Sequence, residues 1–108
     1  MSFIASLDRR LTLERPSVAR DSAYGAELVT FVAVATVWGR LVERAAAEAT
    51  AAEQRVMARQ ITVRIRWRAD VQATWRITLG ARRLQIQGTR EAGRRRWLDI
   101  DCEETSDA

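Results

Sequence analysis

Asp99 and Asp101 come nearest, in residue type and spacing, to a pair able to do acid–base chemistry. Both fall on one side of an alternating segment in which Leu98, Ile100 and Cys102 point the other way and Trp97 and Glu103 share the carboxylate side. Carboxylates on an exposed strand face have an ordinary role as partners for arginine, and the rest of a catalytic set is missing. The chain contains no histidine and no lysine, which removes an imidazole base and a Schiff-base amine. Neither a P-loop nor a Gly-rich dinucleotide fingerprint occurs. Cys102 is the only cysteine, so no intrachain disulfide can form; with no histidine beside it, it reads as a small inward-facing core residue and belongs to no zinc cluster. The expectation is a protein that is not an enzyme and holds no metal or cofactor.

What chemistry remains belongs to arginine. All 18 basic residues are arginine, set against 14 acids for a net charge of +4. Guanidinium forks pair bidentately with carboxylates or phosphates and suit interfaces, although a GC-rich genome also favours arginine codons. The acids are interspersed, so the basic stripe of a dedicated nucleic-acid binder is absent. Two groups of arginine stand out. Arg64, Arg66 and Arg68 line one side of the segment from Gln60, whereas Asp99, Asp101 and Glu103 line one side of the last strand. Opposite charges across a ladder contribute about 0.2–1 kcal/mol per pair, within one subunit or, head to tail, between subunits around a ring. These six residues and Trp97 are the candidate subunit interface. Arg94, Arg95 and Arg96 follow Gly93 in a turn, either solvated or touching DNA or a neighbouring ring. Trp97, beside them, reads as an intersubunit anchor, an arginine-stacking site or an edge-packing residue.

The elements that must carry these residues are strands. Ile61, Val63, Ile65 and Trp67 alternate with Gln60, Thr62, Arg64, Arg66 and Arg68, which is the pattern of a half-buried strand. Leu11 and Leu13 mark a short edge strand closed by Pro16, and polar Ser17 to Ala26 reads as a loop. Leu28 to Val42 carries apolar groups on both faces, which implies burial on both sides, with Gly39 at a bulge or a close backbone approach. Asp70 to Thr74 forms a turn, and a hairpin follows in which Trp75, Ile77 and Leu79 lead through Gly80-Ala81 to Leu84 and Ile86. Trp38, Trp67 and Trp75 are expected in the core. Residues 43–59 change character: alanine-rich, with high helix propensity and little hydrophobicity, they form a weakly packed helical or loop insertion. Residues 104–108 are a polar tail.

At 108 residues the chain is one domain, 1–108, able to bury roughly two thirds of the surface of its unfolded form. The fold class is mainly β: a small antiparallel β-barrel or sandwich of five to six strands with one Ala-rich insertion. No signal-peptide pattern opens the chain, and no run of about 18 apolar residues occurs, so a soluble protein made in a reducing cytoplasm is expected.

Four blocks, in order, are similar to the phage head-tail joining family, also called head-closure, stopper or head-tail adaptor proteins of siphophage-like particles and gene transfer agents. They are Leu7 to Pro16, Ala35 to Leu41, Ile61 to Val71, and Gly93 to Leu98 continuing through Cys102-Glu103, and together they span nearly the whole chain. The resemblance implies a barrel-like subunit assembled, sixfold or twelvefold, into a ring at the neck of a virion or phage-like particle built in the bacterial cytoplasm. The ring would lie between the portal or adaptor and the tail terminator or tail tube. Packaged double-stranded DNA would pass through it without sequence specificity, and no membrane is involved. Some relatives use the insertion after the long strand as a gate; here that stretch would be Arg44 to Ala58, with Arg44, Glu48, Glu53, Arg55 and Arg59 as candidate channel residues. Relatives often carry proline and glycine there, whereas this chain is alanine-rich. Two other readings stand beside this one: a tail terminator or other neck-ring protein, and a single-stranded nucleic-acid-binding barrel. The last needs aromatics and arginines on one face, but Trp67 and Trp75 sit opposite the arginines of their own strands.

Overall fold

The structure is a computed structural model describing residues 7–20, 25, 27–44 and 57–106. Six antiparallel strands make up the described residues: β1 (Arg9–Arg20), β2 (Glu27–Arg44), β3 (Met57–Arg66), β4 (Arg76–Leu79), β5 (Arg82–Ala92) and β6 (Trp97–Ser106). No helix occurs among them. The strands join in the order β1-β2-β3-β6-β5-β4, and β4 returns to β1 to close the barrel. This is the mainly β antiparallel fold expected from the alternating segments.

Alternation decides what lies inside. Leu11, Leu13, Ile61, Val63, Ile65, Ile77, Leu84, Ile86, Leu98, Ile100 and Cys102 point inward from successive strands and form one buried cluster, which Val71 and Trp75 extend. A closed sheet of this size is filled by side chains, and the gain from burying them, about 1.5–3 kcal/mol for each large aliphatic residue, holds it together. Gly39 in β2 is a close approach within the barrel wall. A Cβ placed there would lie 2.5 Å from Leu11 Cδ1, 3.1 Å from Ile65 Cγ2 and 3.2 Å from the Arg64 carbonyl oxygen.

Two expectations about the first third of the chain are corrected. β1 does not stop at Pro16, and the polar stretch after it is not loop as far as Arg20: the strand runs to Arg20, paired with β2 throughout. Proline is tolerated because β4 pairs with β1 only at Thr12, Leu13 and Glu14, so beyond Glu14 β1 is an edge strand. β2 likewise meets β3 only from Gly39 onward. The pairs from Arg15↔Val32 to Arg20↔Glu27 therefore form a two-stranded ribbon that leaves the barrel. The register shift between Leu13 and Glu14, which leaves Val34 of β2 without an opposite residue, marks its base. Burial of both faces of β2 is also corrected: Leu28, Val29, Val32, Val34, Trp38 and Val42 are exposed.

Candidate functional site

The charges expected to join subunits are largely spent inside one. In the ladder β6 lies between β3 and β5, so each acid on its outer side meets a partner from a neighbouring strand. Arg64 donates two hydrogen bonds to Asp99, at 2.7 Å from Nε and 2.9 Å from Nη2. Asp101 accepts from Thr62 Oγ1 at 3.0 Å and from Arg90 at 2.9 and 3.2 Å. Glu103 accepts from Gln60 and Gln87, and Arg82 grips Glu104 through two bonds of 2.8 Å. These contacts hold the Asp101 and Glu104 carboxyls below their ordinary range, with the arginine hydrogen bond the first cause for each. Among the described residues, no buried side-chain nitrogen or oxygen lacks a partner. Burial pushes the Cys102 thiol up to about 12, which leaves it an inert core group. No group of His, Cys, Asp or Glu among the described residues could hold a metal ion.

The remaining expected residues are dispersed. Arg68 pairs with Asp70 of the following turn, at 2.9 and 3.0 Å. Arg44 ends β2 bonded to Gln60, and Arg59 pairs with Glu43 at 3.5 Å. Glu48, Glu53 and Arg55 lie outside the described residues, as does most of the insertion. Arg94 and Arg95 occupy the tip of the β5–β6 hairpin with φ of 55° and 63°, and the Arg96 amide donates to the Gly93 carbonyl across it. Two positive φ values between Gly93 and Arg96 are the signature of a type I′ turn.

Of the four tryptophans, Trp38 departs from the place expected of it. Trp97 is only 5% exposed, which agrees with edge packing within the subunit, one of the readings left open for it. Trp38, expected in the core, is 50% exposed, with the Arg10 guanidinium 5.4 Å from its ring centre. The sequence signal for this was its parity: Trp38 is one residue out of phase with Val37 and Gly39, which face the core. Trp67 packs partly against the core and carries Arg95 at 5.5 Å from its ring, while Trp75 is buried as expected. Between Trp38 and Trp67 lies a largely apolar cavity of about 360 Å³, lined also by Leu7, Val37, Arg66 and Arg68.

The exposed apolar residues gather on β2 and its ribbon. Pairing puts Pro16, Val18, Val29 and Phe31 on one ribbon face and Ala19, Leu28 and Val32 on the other. Arg76 pins the base, stacking 3.9 Å from the Phe31 ring centre and bonding Glu14 at 2.6 Å. Among the described residues, a hydrogen-bonded barrel wall carries an exposed apolar arm and an aromatic cavity, surfaces of the kind that bind protein.

Residues 4–105 match the family model described as phage head completion protein. The chain belongs to the phage head completion protein family. Membership places it among virion components with a role in head completion and head–tail joining. Two solved structures share the fold of this head completion protein. One is a chain in the virion of a native gene transfer agent particle, with a TM-score of 0.77 and 21% identity over 94% of this chain and 96% of that one. The other, the solution structure of protein SF1141 from Shigella flexneri 2a, has a TM-score of 0.71 and 28% identity over 95% and 96% of the two chains. No curated protein matches.

Proposed function

We propose that this head completion protein is a non-enzymatic neck subunit. Copies form a ring between the portal or adaptor and the tail, and packaged DNA passes through its centre. The observation that carries the reading is the β1–β2 ribbon: a soluble barrel has no use for an exposed arm of Val18, Leu28, Val29 and Val32 unless another protein covers it. A two-stranded ribbon is marginal alone in water, which again calls for a neighbour. Much of the charge on β3, β5 and β6 is paired within the subunit, which leaves the apolar arm as the surface that asks for a partner.

Removing the gene from the producing genome and imaging the particles tests this. The expected result is DNA-packaged heads that fail to join tails; normal tailed particles, or tails of uncontrolled length on sealed heads, would refute it, the second in favour of a tail terminator. The connection between β2 and β3 is the place for a constriction on the channel. Deleting residues 45–52 should leave assembled particles that lose DNA, and normal retention would remove the gating role. Trp38 with Arg10 over its ring would also suit a stacked base, so salt-sensitive binding of single-stranded DNA by monomers would favour the nucleic-acid reading.

A further inference from the structure

We infer that the Trp38–Trp67 cavity receives a segment of an acidic partner protein, one that presents an apolar side chain flanked by carboxylates. The volume to be filled is apolar. Leu7, Val37 and two indole rings wall a cavity of about 360 Å³, room for a large side chain but not for a folded element. The charge to be met is positive. Among the described residues the charged groups lining the cavity are Arg66 and Arg68, and Arg10 stands over the Trp38 ring. Arg68 is held by Asp70, but neither Arg10 nor Arg66 meets a carboxylate among the described residues. Arg40, the next outward position along β2 after Trp38, is likewise unpaired, and it stands directly opposite Arg64 in the ladder. Like charges so placed repel. Elsewhere the wall neutralises its own arginines, as Arg64, Arg82 and Arg90 show, and the three around Trp38 are left out of that pairing. Asp8 is the acid nearest them in sequence; it makes no ion pair with them, and the patch keeps an excess of positive charge.

An acidic and apolar segment meets both needs at once. Tryptophan and arginine are the residue types that anchor protein interfaces, and a carboxylate beside Arg66 would bond at the rim of an apolar pocket, where such a bond is stronger than in open water. Nucleic acid fits less well. Its phosphates would satisfy the arginines but leave Leu7, Val37 and Trp67 uncovered, and Arg10 already covers the Trp38 ring on which a base would stack. A second copy fits less well too. Its ribbon carries Arg15 and Arg20 against Glu27, which repeats the sign of the patch, and the acids of its β6 are already bonded in their own wall.

Nuclear magnetic resonance on the full chain tests this, because the indole N–H of each tryptophan reports separately and weak binding is visible. The probes are short peptides: phenylalanine between two pairs of glutamates, the same with lysines for glutamates, and the same with alanine for phenylalanine. The first should shift the Trp38 and Trp67 signals and leave those of Trp75 and Trp97, which are buried in the subunit. The lysine peptide should shift none, and the alanine peptide should bind about tenfold more weakly, as the loss of one buried apolar side chain requires. Arg10→Gln with Arg66→Gln, both at exposed positions, should keep the folded spectrum and weaken the first peptide about tenfold at low salt. No shift at millimolar peptide, equal binding of the lysine peptide, or undiminished binding by the double variant would overturn the proposal. So would tighter binding of an oligothymidine at the same signals, which would assign the patch to nucleic acid, or indole signals that move on dilution of the protein alone, which would assign it to a second copy. A peptide with the sequence of residues 1–6 that binds as well as the glutamate peptide would assign the cavity to the chain itself and overturn it too. In each of these cases a ring seen in the particle would leave the neck reading standing.

Discussion

Asp99 shows how much one side chain can rely on its neighbour. Only 9% of the residue is exposed, and Arg64 supplies both of its arginine hydrogen bonds. Arg64→Ala leaves a nearly buried carboxylate with reduced compensation, so a urea titration should show a loss of about 1–3 kcal/mol, well above the roughly 0–1 kcal/mol of an exposed pair such as Arg59–Glu43. The hairpin tip works in the opposite direction. Left-handed backbone costs an ordinary L-residue about 1–2 kcal/mol, and Arg94 and Arg95 both adopt it. The pair of substitutions Arg94→Asn and Arg95→Gly should therefore stabilise the isolated protein by about 1–2 kcal/mol in thermal or urea unfolding, because the Arg95 side chain gives up only an exposed bond to Glu91 and a stack on Trp67, which are worth less. No net gain would mean that this bond and stack offset the backbone strain. The composition made the arginine–carboxylate pairing legible, and the Arg64–Asp99 and Thr62–Asp101 partners follow from one register. The strain was not legible, because three arginines after a glycine read equally well as any solvated turn.

Strands β3 to β6 could be read from the residues because each has one wet and one dry side, and period-two alternation reports that difference. The ribbon was hidden for the same reason. With apolar groups on both faces, β2 carries no contrast, so a strand exposed in the subunit looks like one buried on both sides. β1 past Pro16 is polar enough to pass for a loop. Gly39, flagged as a bulge or close approach, proves to be the latter, and the bulge sits at Val34 instead. Gly39→Ala should destabilise the barrel by about 1–3 kcal/mol in urea unfolding, since the new methyl meets Leu11 and Ile65 side chains that are themselves fully buried. An unchanged midpoint would mean that the wall yields more easily than a packed core does.

For the molecule as a whole, the arginine pairs set the response to acid. Asp70, Asp101 and Glu104 all have depressed pKa values, the first through its hydrogen bond from Arg68. A group with a lower pKa when folded adds stability above its unfolded value, near 4, and loses that contribution as pH falls through the folded one. The melting temperature should thus be level at neutral pH and drop below about pH 4, and Arg82→Gln with Arg90→Gln should flatten that drop. An equally steep drop in the double variant would place the acid sensitivity elsewhere. Closure of the sheet has a mechanical side as well. β1 meets β4 across three residue pairs, Thr12↔Thr78 to Glu14↔Arg76, whereas β3 and β6 share an unbroken ladder from Met57↔Ser106 to Arg66↔Trp97. Those three pairs act as a latch: when they part, the tube becomes a curled open sheet and no other ladder is disturbed. The ribbon continues β1 directly beyond the latch, so a tug on the arm is felt there first.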